Sequence, residues 1–101
     1  MKTYRMILID PDERTVLHVE SSGTLEHVQQ LVQTDFVEPL GINGDDVMLF
    51  AEEPKQGVQP FKIGEYVIRG RAVVVGRGDV EFSTPKVSID TLRPLVAFQP
   101  K

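Results

Sequence analysis

Hydrophobic positions along the chain fall into short runs separated by turn-forming residues. The most apolar run is Gly70-Arg71-Ala72-Val73-Val74-Val75-Gly76, three valines after an alanine with a glycine near each end. β-Branched residues favour a strand, and a run with no polar face predicts a strand covered on both sides, near the middle of a sheet. Glycines at its ends mark a bend or the close approach of another backbone. Upstream, Tyr4 to Ile9 and Thr15 to Glu20 read as two strands. The Asp10-Pro11-Asp12-Glu13-Arg14 segment between them has the composition of a turn, which makes an antiparallel hairpin. Leu25, Val28, Leu31 and Val32 recur at helical spacing behind the cap candidates of Ser21-Ser22-Gly23-Thr24, and predict a helix over about 24–34. Its Glu26 falls in the first turn, and Gln29, Gln30 and Gln33 fall on the wet face.

Phe36-Val37-Glu38-Pro39-Leu40 predicts a strand that must lie at an edge or a bulge, because Pro39 cannot donate to a ladder. The Asn43-Gly44 turn leads to a return strand, Val47 to Phe50. A polar loop, 52–60, is long for a chain of this size. Phe61-Lys62-Ile63 alternates, and 64–69 with Tyr66-Val67-Ile68 reads as leading into the central strand. Val75-Gly76-Arg77-Gly78-Asp79 turns the chain, Val80-Glu81-Phe82 adds a short strand or extended arm, and Ser88 caps a short helix over about 88–95 that holds Pro94. Val96-Ala97-Phe98 closes as a strand. Residues 1–101 are thus expected to form a single α+β domain: a mainly antiparallel five- to six-stranded sheet with one principal helix and a short C-terminal helix.

Composition narrows function mostly by exclusion. An apolar fraction of 41% and a charged fraction of 26% are ordinary for a globular chain of 101 residues. With no cysteine, disulfides, thiolate zinc sites and cysteine nucleophiles are ruled out. No segment approaches the roughly 20 apolar residues of a membrane span, and the N-terminus lacks a signal-peptide pattern, so a cytoplasmic location away from membranes is expected. The net charge of −4 argues against nucleic acid as a partner. Charge is uneven, however. Residues 1–60 carry 4 Lys/Arg and 11 Asp/Glu, a balance of −7, whereas residues 61–101 carry 7 and 4, a balance of +3. Such polarity suits steering of a partner or self-association.

Three stretches together resemble a family of small uncharacterised proteins carried by phages, plasmids and other bacterial mobile elements such as integron gene cassettes. They are Leu8-Ile9-Asp10-Pro11 with Arg14-Thr15-Val16; Gly70 to Gly76; and Thr84-Pro85-Lys86-Val87-Ser88-Ile89-Asp90-Thr91-Leu92-Arg93 closing on Val96-Ala97-Phe98. The resemblance spans nearly the whole chain. The aromatic-bearing region of the family matches loosely at Val47 to Pro54. These motifs are structural, and the family has no assigned activity, so the resemblance implies a mobile-element origin and transfers no functional residue.

Candidate chemistry is sparse. His18 and His27 need a converging carboxylate to act as base or metal ligand. Asp10, Asp12 and Glu13, and separately Asp45-Asp46, offer oxygen ligands without the spacing of a calcium loop, and turn formation accounts for both. The best polar constellation is Arg69, Arg71 and Arg77 beside Gly70, Gly76 and Gly78, a candidate anion or ligand site that is neither a Walker loop nor a dinucleotide fingerprint. Residues 77–79 spell Arg-Gly-Asp, read as coincidence. Tyr4, Phe36, Phe61, Tyr66 and Phe82 are expected mostly in the core, with any left on an open sheet face serving a homodimer patch. The leading expectation is a non-enzymatic binding or accessory protein acting through protein–protein contact, with a second copy, a host protein or a phage protein as partner. The alternative is an anion-binding or enzymatic domain built on Arg69, Arg71 and Arg77. A third reading has the acidic N-terminal half imitate nucleic acid. No cofactor, metal site or catalytic residue is implied.

A buried unpaired carboxylate costs several kcal/mol. Val74→Asp is therefore expected to unfold the domain, and a variant with an unchanged melting temperature would remove this run from the sheet centre.

Overall fold

The computed structural model describes residues 2–53, 56–78 and 81–99. In chain order the elements are β1 (Tyr4–Asp10), β2 (Thr15–Ser21), α1 (Leu25–Val32), β3 (Val37–Ile42), β4 (Asp46–Ala51), β5 (Pro60–Ile63), β6 (Tyr66–Arg69), β7 (Ala72–Arg77), β8 (Phe82–Ser83), α2 (Ile89–Leu92), a 3₁₀ turn (Arg93–Leu95) and β9 (Val96–Phe98). β7 pairs with β1 on one side and β4 on the other, in a sheet ordered β2-β1-β7-β4-β3 with β8 beside the end of β7. All pairings are antiparallel, and the fold is α+β. No helix among the described residues is long and apolar enough to cross a membrane.

Alternation along the strands splits the core in two. Val73 and Val75, with Met6, Val47 and Leu49, face α1 and pack on its Val28 and Val32. Ala72 and Val74, with Ile7, Ile9 and Met48, face the opposite way, onto Phe61, Ile63, Ile68 and Leu92. That second cover is a three-stranded sheet, β6-β5-β9, which the linear pattern did not separate from the first. Its Phe61 and Phe98 rings meet in a tilted contact at 6.4 Å. Ala72, Val73, Val74 and Val75 are each 0% exposed, as a strand sandwiched between two layers must be.

Gly70 accounts for the second sheet. Its φ of 86° lies in the left-handed region that glycine enters without strain, and its N–H donates to the Gln59 carbonyl at 2.9 Å. The chain therefore bends at Gly70, leaves the β5–β6 ladder and enters the other sheet at Ala72, so that 64–69 and the central strand belong to different sheets. At the other end, Gly76 admits a neighbouring backbone. A Cβ there would sit 2.5 Å from the Thr84 carbonyl oxygen and 2.9 Å from Ser83 Oγ. This close approach lets β8 pair with the end of β7, and the Arg5 N–H then donates to Thr84 Oγ1 at 3.0 Å.

Local chemistry sets the remaining boundaries. Thr24 Oγ1 accepts the His27 N–H at 3.2 Å and starts α1. Gln33, at φ 65°, ends it without a glycine, slightly short of the 24–34 span. Pro39 lies in β3, the outermost strand, which pairs only with β4. Ser88 Oγ accepts the Thr91 N–H at 3.1 Å and caps α2. Asp79 and Val80, in the expected turn and extended arm, and Pro54 and Lys55, in the expected loop, lie outside the described residues.

Overpacking against a fixed carbonyl costs about 1–3 kcal/mol. Gly76→Ala is expected to lower stability by that amount. Gly41, whose added Cβ would meet nothing within 4 Å, is the control: Gly41→Ala should stay within about 0.5 kcal/mol. Urea unfolding of the two variants checks the contrast.

Candidate functional site

The bend at Gly70 places Arg69 and Arg71 on the lining of a groove of about 610 Å³. The outer face of α1, the 33–36 loop, the end of β4 and the β6–β7 turn enclose it. Three carboxamides line it (Gln29, Gln30, Gln33), with the carboxylates Asp12, Glu26, Asp35 and Glu53 and the apolar Val32, Phe36, Ala51 and Val58. Of the three arginines in the candidate anion site, two meet here. Arg77 lies at the far end of β7, paired with Phe82. At about 3.3 Å per strand residue, that puts its Cα roughly 20 Å from that of Arg71.

Arg71 is held in place. Its Nη2 lies 3.3 Å from Asp10 Oδ2, with side-chain exposures of 32% and 8%, and its buried Nε has no hydrogen-bond partner. The other oxygen of Asp10 accepts the N–H groups of Asp12 (3.0 Å) and Glu13 (3.4 Å). One carboxylate thus closes the β1–β2 turn and fixes an arginine beside the groove. No family model matches the chain, and neither a curated protein nor a solved structure matches it.

The lining around Phe36 is also fixed. Gln29 Nε2 donates to the Asp35 carbonyl at 2.7 Å, the Glu52 N–H donates to the Phe36 carbonyl at 2.9 Å, and the Phe36 N–H donates to Thr34 Oγ1 at 3.3 Å. The main chain around Phe36 is anchored on three sides while its side chain is 69% exposed. Composition gave no reason to place Phe36 outside: it resembles any core aromatic, and only the α1–β3 connection turns it outward. Tyr66 is exposed as well, Phe61 is buried, and Tyr4 and Phe82 are half-buried.

The other candidate groups have structural roles. His27 Nδ1 is hydrogen-bonded to Ser21 Oγ at 2.7 Å, and Ser21 Oγ also accepts the Gly23 N–H at 3.1 Å. Ser21 is buried and His27 half-buried, and the pair ties the end of β2 to the start of α1. His18 is exposed and sits opposite Ile7, on the sheet face away from α1, so the two histidines do not converge. Asp46 is 0% exposed and accepts the N–H groups of Lys86 (2.9 Å) and Val87 (2.8 Å), while Asp45 pairs with Lys86 Nζ at 3.0 Å on the surface. Among the described residues no group of three His, Cys, Asp or Glu is placed to hold a metal ion.

Removing a buried acceptor leaves its donors unpaired at about 1–3 kcal/mol each. Asp46→Ala is expected to cost at least 2 kcal/mol on that basis and to speed hydrogen exchange at the Lys86 and Val87 amides. Asp45→Ala, which breaks an exposed pair, should cost under about 1 kcal/mol.

Proposed function

We propose that the chain is a small non-enzymatic binding protein that acts through protein–protein contact, and that the groove between α1 and the β6–β7 turn receives an extended segment of the partner. The observation that carries this reading is the groove's lining. Carboxamides offer both a donor and an acceptor, as a peptide backbone requires. Charges of both signs and an exposed aromatic serve its side chains. Exposed aromatics are the common anchors of protein interfaces, where a few residues dominate affinity. The resemblance to mobile-element proteins supports a host or phage protein as partner, in the cytoplasm, and self-association through exposed apolar groups such as Tyr66, Val67 and Leu95 is the competing partner choice.

The anion-site alternative draws less support. It has two of its three arginines in the groove, one of them engaged by Asp10, and four carboxylates beside them that repel an anion. Imitation of nucleic acid needs one continuous acidic surface. Glu20 and Glu38 lie on the sheet face away from α1, in register with Arg5 and Phe50, a placement that lends this reading less support than the groove lends to peptide binding.

Selection of random peptides displayed on phage against the intact protein tests the proposal. The expected result is a set of binders that shift amide resonances in 26–36 and 69–71 and lose at least about tenfold in affinity, or 1.4 kcal/mol, with Phe36→Ala. Binders whose shifts map elsewhere, or no binders at all, would overturn it.

A further inference from the structure

We infer that the partner segment presents an arginine or lysine side chain, which seats on the Phe36 ring between the groove's carboxylates. This inference rests on the groove reading above and names what the groove selects. Two independent features point to the same ligand class. The first is an aromatic face held open: Phe36 is 69% exposed although its carbonyl, its N–H and the preceding carbonyl are all hydrogen-bonded. A ring on an anchored main chain is preorganised, so binding orders little that was free before. Its face attracts a guanidinium or ammonium group. The second is charge. Arg71 is already held by Asp10, so among the described lining residues Asp12, Glu26, Asp35 and Glu53 face one remaining arginine, Arg69. A groove of that sign concentrates cations and repels carboxylates and phosphates. An apolar ligand would use the ring but leave the carboxylates unexplained; a cation on the ring uses both. Arg69 also lines the groove and gives the site direction, because a cation that moved toward it would meet repulsion.

The foreign segment is preferred over a second copy on the same charge argument. Asp12, Glu26, Asp35 and Glu53 all come from the acidic 1–60 portion, and a cationic segment of another protein supplies the complement without bringing a second acidic half to the groove, as a copy presenting its basic 61–101 portion would.

The test uses fluorescein-labelled glycine-serine peptides that carry three arginines, three citrullines or three glutamates, titrated against the intact protein by fluorescence anisotropy at low and high salt. The arginine probe is expected to bind at least about tenfold more tightly than its neutral citrulline isostere, and to weaken as salt rises. Phe36→Leu keeps apolar area but removes the ring, and should weaken the arginine probe several-fold. Asp35→Asn combined with Glu53→Gln should do the same, with unchanged melting temperatures because all three side chains are exposed or half-exposed. Equal binding of the citrulline probe, preference for the glutamate probe, or wild-type binding by Phe36→Leu would each overturn the inference. So would a dimer seen by sedimentation without peptide and abolished by Phe36→Ala, since a second copy would then occupy the groove. If phage selection yields groove binders with no enrichment of arginine or lysine, this inference fails while the peptide groove stands. If no selected peptide maps to the groove, the groove reading itself is lost.

Discussion

Burial of β7 on both faces is the constraint on which the molecule depends. A strand that reads Ala-Val-Val-Val cannot leave either side to water, and each fully buried valine is worth about 1.5–3 kcal/mol relative to exposure. One cover, α1, supplies Val28 and Val32. The other is a separate small sheet with Leu92 of α2 beside it. Neither cover has enough apolar area to stand alone at its length. Each is held by the strand it shields, so three layers form around one stretch of four residues.

That constraint also builds the site. Arg71 is the last residue before the buried strand, and Gly70 turns the chain immediately ahead of it. That bend leaves Arg69 and Arg71 lining one groove together with polar residues of α1. Arg77 leaves the buried strand at its other end and points the same chemistry at a different region of the surface. Strand length, about 3.3 Å per residue, separates residues that a linear reading places close together.

Polar groups divide into those consumed by the fold and those left for contact. Asp10, Ser21 and Asp46 are the buried polar side chains among the described residues, and each is engaged: Asp10 accepts the turn amides and pairs with the Arg71 cation, Ser21 accepts the Gly23 N–H and shares a hydrogen bond with His27, and Asp46 accepts the Lys86 and Val87 N–H groups. Asp46 fastens the irregular 84–88 segment to the β3–β4 hairpin, which in turn positions α2 over the core. The groove's carboxylates and Phe36 are instead on the solvent side, where a side chain costs little to present and is available to a partner.

Much of the fold was legible because its signals are local. The hairpin around Asp10-Pro11, the Thr24 cap, the edge position of Pro39, the Asn43-Gly44 turn, the Ser88 cap and the central valines all follow from the intrinsic geometry of residues close in sequence. What the sequence could not specify is which strands share a sheet. Phe61 to Ile63, Tyr66 to Arg69 and Val96 to Phe98 look like any other short strands, and pairing partners depend on contacts far apart along the chain. The same holds for the site. Phe36 carries the composition of a core residue, and Gln29, Gln30 and Gln33 that of a plain solvent face. Only packing of α1 against β7, with the chain bent at Gly70, makes that wet face part of a groove and leaves Phe36 in the open. Periodicity along one element records which side is apolar; it holds no record of what the polar side will face.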